Sequence, residues 1–226
     1  MSNSKRFATT YAMFLIGLML ALIGGATAAY AQDREDRWEF TLGMFDQLGS
    51  DLDFDGGTTV ATDDDFGFLT TVGYNFSDRL ATSFNFQYAG IDYDANVIDE
   101  DGDAIGISGS FDTWALSANV VLNLMEGPFT PYVGGGVGWT WIDTNVPTGL
   151  PDTVCWWDPW YGYICYTDYP TKTNDALSYQ ATLGLRYEFN DRTFMRFGYT
   201  SQWLDLDNSD SAPRFDVIGL EIGWLF

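Results

Sequence analysis

Apolar and polar positions alternate along most of the chain. In the closing stretch, DVIGLEIGWLF, Ile218, Leu220, Ile222, Trp224 and Phe226 fall on one side, and Val217, Gly219, Glu221, Gly223 and Leu225 on the other. A period of two predicts a β-strand with an apolar face and a mixed face. The same pattern predicts strands at about 38–46, 66–76, 80–91, 113–124, 129–142, 177–189, 193–204 and 215–226. Each can cross a bilayer when tilted, which takes about 9–11 residues. The apolar faces are rich in large side chains: Phe66, Phe68, Val72, Tyr74 and Phe76 oppose Gly67, Leu69, Thr71, Gly73 and Asn75. Likewise Tyr179, Leu183, Leu185, Tyr187 and Phe189 oppose Ser178, Gln180, Thr182, Gly184, Arg186 and Glu188.

A secreted β-sandwich is the main structural competitor. A water-soluble fold would bury the aromatic faces and expose faces of Gly, Ser, Thr, Asn and Gln, although soluble surfaces normally carry many more charges. The inside-out arrangement removes the conflict, with large apolar groups toward lipid and small or polar groups in a lumen. Closure also pairs every backbone group, as hydrocarbon requires. Connections alternate between tight turns at 77–79, 125–128 and 190–192 and long links at about 47–65, 92–112, 143–176 and 205–214. Short periplasmic turns and long external loops fit this alternation. The fold class predicted is all-β, an eight-stranded antiparallel up-and-down transmembrane β-barrel with both termini in the periplasm. Tyr74, Phe76, Tyr187, Phe189, Trp224 and Phe226 would form one aromatic girdle, and Trp114, Trp139, Trp141 and Trp203 the other.

Lys5 and Arg6 precede the apolar run YAMFLIGLMLALIGGA, and Ala29 and Ala31 supply an A-x-A cleavage pattern. Residues 1–31 therefore read as a secretory signal peptide, leaving 32–226 as the barrel domain. Removing Lys5 and Arg6 from the 10 bases leaves 8 against 32 acids, a mature net charge of −24. Nucleic acid is excluded as a partner, because it needs a basic face. Disorder, the usual outcome for an acidic chain, is opposed by 17% aromatic and 46% hydrophobic residues.

The stretches FTPYVGGGVGWTWID at 129–143 and LSYQATLGLRYEFNDRTFMRFGYT, with the final strand ending in Phe226, resemble the OmpA-like outer-membrane β-barrel superfamily. The resemblance spans nearly all of 32–226 and implies a cell outer membrane location in a Gram-negative bacterium. It implies that Phe226 is the signal read by the barrel-assembly machinery and that periplasmic chaperones are transit partners. Outer-membrane lipids and lipopolysaccharide would surround the wall. No peptidoglycan-binding domain is expected alongside the barrel.

The chain has no histidine, so Ser-His and Asp-His hydrolysis lack their general base. No carboxylate pair stands out, and an enzyme is not expected. Glu39, Arg186, Glu188, Arg196 and Glu221 all take lumen parity. They read as a salt-bridge cluster that fills the barrel or, alternatively, as a gate for ions or small solutes. The lumen glycines either make room for Tyr132 and the arginines or leave a watery path. Asp51, Asp53, Asp55 and Gly56 follow the first half of a calcium-loop spacing, but Thr62 stands where a bidentate Glu belongs. No cofactor is expected beyond weakly bound Ca²⁺ or Mg²⁺ at those aspartates, shared with lipopolysaccharide phosphates, against an ordinary acidic solvated loop.

Cys155 and Cys165 are the only cysteines, and an oxidising periplasm predicts a disulfide between them. The span encloses Trp156, Trp157, Trp160, Tyr161 and Tyr163. Those rings either pack together and cap the barrel or form an exposed patch for a partner. The function expected is structural or surface-interacting, carried by acidic and aromatic external loops. A narrow porin-like channel is the first alternative and a lipid-modifying outer-membrane enzyme the second.

Overall fold

The computed structural model describes residues 33–53, 59–98, 104–147, 152–168, 171–205 and 212–226. The predicted signal peptide and Asp55 lie outside the described residues, as do the side chains of Asp51, Asp53 and Trp156.

Among the described residues twelve strands run in chain order: β1 (Arg37–Leu48), β2 (Asp51–Asp53), β3 (Thr59–Thr62), β4 (Asp65–Asn75), β5 (Leu80–Ile98), β6 (Ala104–Asn123), β7 (Phe129–Pro147), β8 (Asp152–Asp158), β9 (Gly162–Asp168), β10 (Thr171–Asn190), β11 (Thr193–Asp205) and β12 (Arg214–Leu225). Eight of them close on themselves in the order β1-β4-β5-β6-β7-β10-β11-β12, every neighbour antiparallel. The seam is β1 against β12, where Glu39 stands opposite Leu225 and Leu48 opposite Asp216. Trp38 and Phe226 complete it by exchanging both backbone hydrogen bonds at 2.9 Å. Closure leaves the barrel wall no open edge.

The parity of the strands is as the alternation predicts. Phe66, Phe68, Phe84, Leu183 and Ile222 stand on the outside, while Glu39, Thr41, Asn119, Gln180 and Arg186 are buried in the lumen. Rings meet across strands on the outer wall, tilted at one end and stacked at the other. Trp38 lies 5.1 Å from Tyr74 near the termini, and Tyr179 lies 5.5 Å from Trp203 toward the opposite end.

Two expectations need correction. The predicted links at 47–65, 92–112 and 143–176 are largely strand: β5 and β6 stay paired from Leu80↔Leu122 out to Ile98↔Ala104. There the alternation inverts: Asp92, Asp94, Ser108 and Ser110 take the outward positions that Phe84, Phe86 and Leu116 hold lower down, while Ile91 and Ala95 are buried inside, so a pattern defined by an outward apolar face ends before the ladder does. The lumen is also less uniformly small and polar than predicted. Phe45, Leu69, Ala89, Ile91 and Val217 cluster inside it, with Phe111 against them. Ala176, Leu204 and Phe215 form a second inward cluster with Ile142. These layers fill the lumen at the end away from the termini.

Candidate functional site

The lumen near the termini is built from inward positions of β1, β10, β11 and β12. Arg186 and Arg196 stand directly opposite each other on β10 and β11, and Arg196 in turn faces Glu221 on β12. Arg186 Nη1 donates to Glu39 Oε2 at 2.8 Å, and its Nε donates to Glu188 Oε1 at 2.9 Å. Arg196 Nη2 donates to Glu39 Oε1. The structure places Glu39, Arg186, Glu188 and Arg196 in one buried ion-pair cluster. Both guanidiniums lie on the Phe194 ring, Arg186 at 3.8 Å and Arg196 at 4.9 Å from its centroid. Phe194 finds room because Gly223 faces it: a Cβ there would run into the ring.

Glu221 departs from the expected cluster. It makes no ion pair with any described arginine within 4.0 Å and instead accepts hydrogen bonds from Thr41 Oγ1 and Thr71 Oγ1. It looks into a cavity of about 60 Å³ in mid-barrel, lined also by Tyr132, Asn85, Gln180, Thr182 and Arg196. A water needs about 10–15 Å³ by this measure, so the space holds roughly four. Asn85 Oδ1 is buried there without a hydrogen-bond partner, as water would supply. A second cavity, about 30 Å³, lies among the apolar layers and is lined by Phe45, Ile91, Phe111, Ile142 and Phe215.

The residue the sequence reading missed is Arg34. It precedes β1, takes no part in any alternation, and is completely buried in the barrel mouth. Its Nε donates to Glu188 Oε1 at 2.6 Å and its Nη2 to the Gly127 carbonyl at 2.7 Å and Thr130 Oγ1 at 2.9 Å. Nη1 donates to the Asp78 carbonyl at 3.1 Å, and the backbone N–H of Arg34 donates to Asp78 Oδ1 at 2.8 Å. The segment before β1 is thereby pinned across the turns that follow β4 and β6. In QDREDRWEF Arg34 is one of two arginines among four acids, and nothing local distinguishes it from Arg37.

At the opposite end, β8 and β9 form a separate two-stranded sheet between β7 and β10. Cys155 and Cys165 are opposite partners in its register and are joined by a disulfide. Trp157 is paired with Tyr163 two positions further along, so the rings and the disulfide share one face. Trp160 and Tyr161 occupy the turn, which Gly162 closes at φ 79°. The rings are open to solvent: Trp157 is 72%, Trp160 88%, Tyr161 83% and Tyr163 68% exposed. At that exposure the four rings are not buried against one another or against the barrel. Among the described residues no three potential metal-ligating side chains gather.

Comparison with known proteins agrees with the barrel. Residues 17–226 match the family described as the outer membrane protein β-barrel domain. Neisserial surface protein A superposes with a TM-score of 0.55 at 11% identity, covering 85% of this chain and 100% of that one. The outer membrane protein OprG from Pseudomonas aeruginosa superposes with a TM-score of 0.54 at 14% identity, covering 86% and 98%. No curated protein matches the chain. At such identities the solved structures share the fold.

Proposed function

The chain belongs to the outer membrane protein β-barrel family, and we propose that within it this protein is a surface-interaction barrel whose working part is the disulfide-locked aromatic hairpin. Its termini lie in the periplasm, the hairpin and the long strand extensions project outward, and the lumen is a packed filler. Four exposed rings on a covalently closed hairpin carry this reading. Solvated Trp and Tyr rings are costly on a surface with no use for them, and they are the residues that dominate interfaces. The lumen supports the same reading: a charged layer at one end, apolar layers at the other, and, among the described residues, cavities of about 60 and 30 Å³ between side chains.

The outer wall contacts lipid and lipopolysaccharide, and biogenesis uses periplasmic chaperones and the barrel-assembly machinery, with Phe226 as its recognition residue. No catalytic role is proposed, since the chain has no histidine. Weak Ca²⁺ or Mg²⁺ capture at Asp51, Asp53 and Asp55 remains a separate proposal, tested by the titration given in the Discussion.

The channel alternative has one observation in its favour. Arg186 Nη2 and Glu188 Oε2 are buried without hydrogen-bond partners, so the charged layer has spare capacity for water. Two measurements decide. Folded barrel in planar bilayers is expected to give no conductance steps, and in a panel of anionic, neutral and cationic polymers at least one should bind the parent but not a Trp157→Ala, Trp160→Ala, Tyr163→Ala variant. Steps in the parent would favour the channel. Identical polymer profiles for parent and variant would refute the surface role.

A further inference from the structure

We infer that the hairpin's partner is a cationic protein surface, one that presents Lys or Arg side chains to the ring faces; the inference rests on the surface-interaction reading above. Two independent features converge on it. The first is geometric: Trp157 and Tyr163 lie side by side on the disulfide face, and Trp160 and Tyr161 continue beyond it at the turn. Ring faces of this kind attract guanidinium and ammonium groups through the π-system, and their two side-chain torsions make ordering inexpensive. The disulfide fixes the backbone beneath them, so little further ordering is needed on binding.

The second feature is charge. Residues 152–168 contain Asp152, Asp158 and Asp168 and no Lys or Arg. The strand extensions add Asp92, Asp94, Asp112, Asp143, Asp175 and Asp205. Against these nine carboxylates the same extensions carry Lys172 and Arg214, so an anionic polysaccharide, a phosphate-bearing lipid surface or an acidic protein would meet a strong excess of like charge. A neutral glycan could stack on the rings but would make no use of the field. A cationic surface uses both, because the carboxylates steer its approach and the rings then hold the cations at short range.

The test uses the full folded barrel in phosphatidylcholine nanodiscs and three probes: a Lys/Arg-containing peptide, the same peptide with Glu at those positions, and a neutral oligosaccharide. A heat-shifted band on a gel checks that each variant is folded. The parent should bind the cationic peptide and not the acidic one. Trp157→Ala with Tyr163→Ala, which leaves net charge unchanged, should weaken that binding at least about ten-fold. Asp152→Asn, Asp158→Asn and Asp168→Asn together should weaken it less and flatten its salt dependence. Undiminished affinity in the aromatic variant would mean a purely electrostatic contact and would overturn the inference. Ring-dependent binding of the neutral oligosaccharide in place of the peptide would overturn it too, while leaving the surface role standing. Absence of ring-dependent binding to all three probes would sink both.

Discussion

Replacing Arg34 by Met should be among the most destabilising single changes available in this chain. Met keeps an unbranched stem in the mouth of the barrel but removes the guanidinium. The structure shows what is lost: an ion pair to Glu188 at 2.6 Å and hydrogen bonds to Gly127, Thr130 and Asp78 at 2.7, 2.9 and 3.1 Å. In the lumen Arg34, Arg186 and Arg196 offset Glu39, Glu188 and Glu221, so the variant leaves an uncompensated negative charge among buried groups. Breaking a buried pair from one side costs about 3–5 kcal/mol. Arg186 still contacts Glu188 at 2.9 Å, and the vacated mouth admits water, so the lower end of that range, about 3 kcal/mol, is expected. Urea unfolding in lipid vesicles, followed by tryptophan fluorescence, measures it. Combining Arg34→Met with Glu188→Gln should cost less than the two single changes added together, because the second removes the stranded charge. A single-variant loss below about 0.5 kcal/mol, the size of an ordinary surface change, would refute the claim that Arg34 is part of the lumen's charge balance.

Leu183→Arg or Ile222→Arg, both on the outer wall, should cost about 2–4 kcal/mol in the same assay if they face mid-bilayer. Ser110→Arg, on the same outer face of β6 as Leu116 but beyond Trp114, should cost no more than about 0.5 kcal/mol; equal losses at all three sites would sink the placement of the lipid band. Gly184→Val should destabilise by about 1–3 kcal/mol, because even a Cβ would stand 2.6 Å from the Tyr132 ring. Tyr132→Leu in the same chain should recover part of that loss, and an unaltered midpoint in the single variant would contradict the packing. Calorimetry of the parent barrel should show Ca²⁺ heat that disappears in Asp51→Asn, Asp53→Asn, Asp55→Asn; a parent without heat ends the cation proposal.

Much of the fold was legible because lipid and lumen impose opposite demands on successive residues. That is why Phe66, Phe68, Leu183 and Ile222 could be placed outside by parity alone, and why parity alone gathered Glu39, Arg186, Glu188 and Arg196. Where the demand stops, legibility stops with it. The paired extension from Asp92 to Ile98 lies against Ala104 to Ser110, yet neither face there is selected for lipid, and it read as a link. Arg34 was invisible for another reason. Its place is fixed by the Asp78 and Gly127 turns and by Glu188, all distant in sequence, and no local pattern encodes that meeting. Glu221 shows the limit of parity itself. It stands opposite Arg196 and faces inward, but the hydroxyls of Thr41 and Thr71 hold its carboxylate instead of an arginine.

The same contrast accounts for the position of the disulfide. The barrel needs none, because closure satisfies its backbone and its wall is buried in lipid. The β8–β9 hairpin has neither benefit: it is two strands of seven residues each, and isolated two-stranded sheets are marginal in water. Its rings face solvent, so burial contributes little to holding it together. Cross-linking Cys155 to Cys165 restrains the unfolded loop by about 2.7 kcal/mol on the chain-entropy estimate, which is comparable to what a small packed cluster would supply. The covalent bond therefore replaces the core that exposed aromatics cannot provide. Cys155→Ser with Cys165→Ser should accordingly leave the heat-resistant folded band unchanged while protease cuts near Trp160. Loss of the band would show that barrel and hairpin share their stability, and unchanged protection at Trp160 would show that the rings hold the hairpin without the bond.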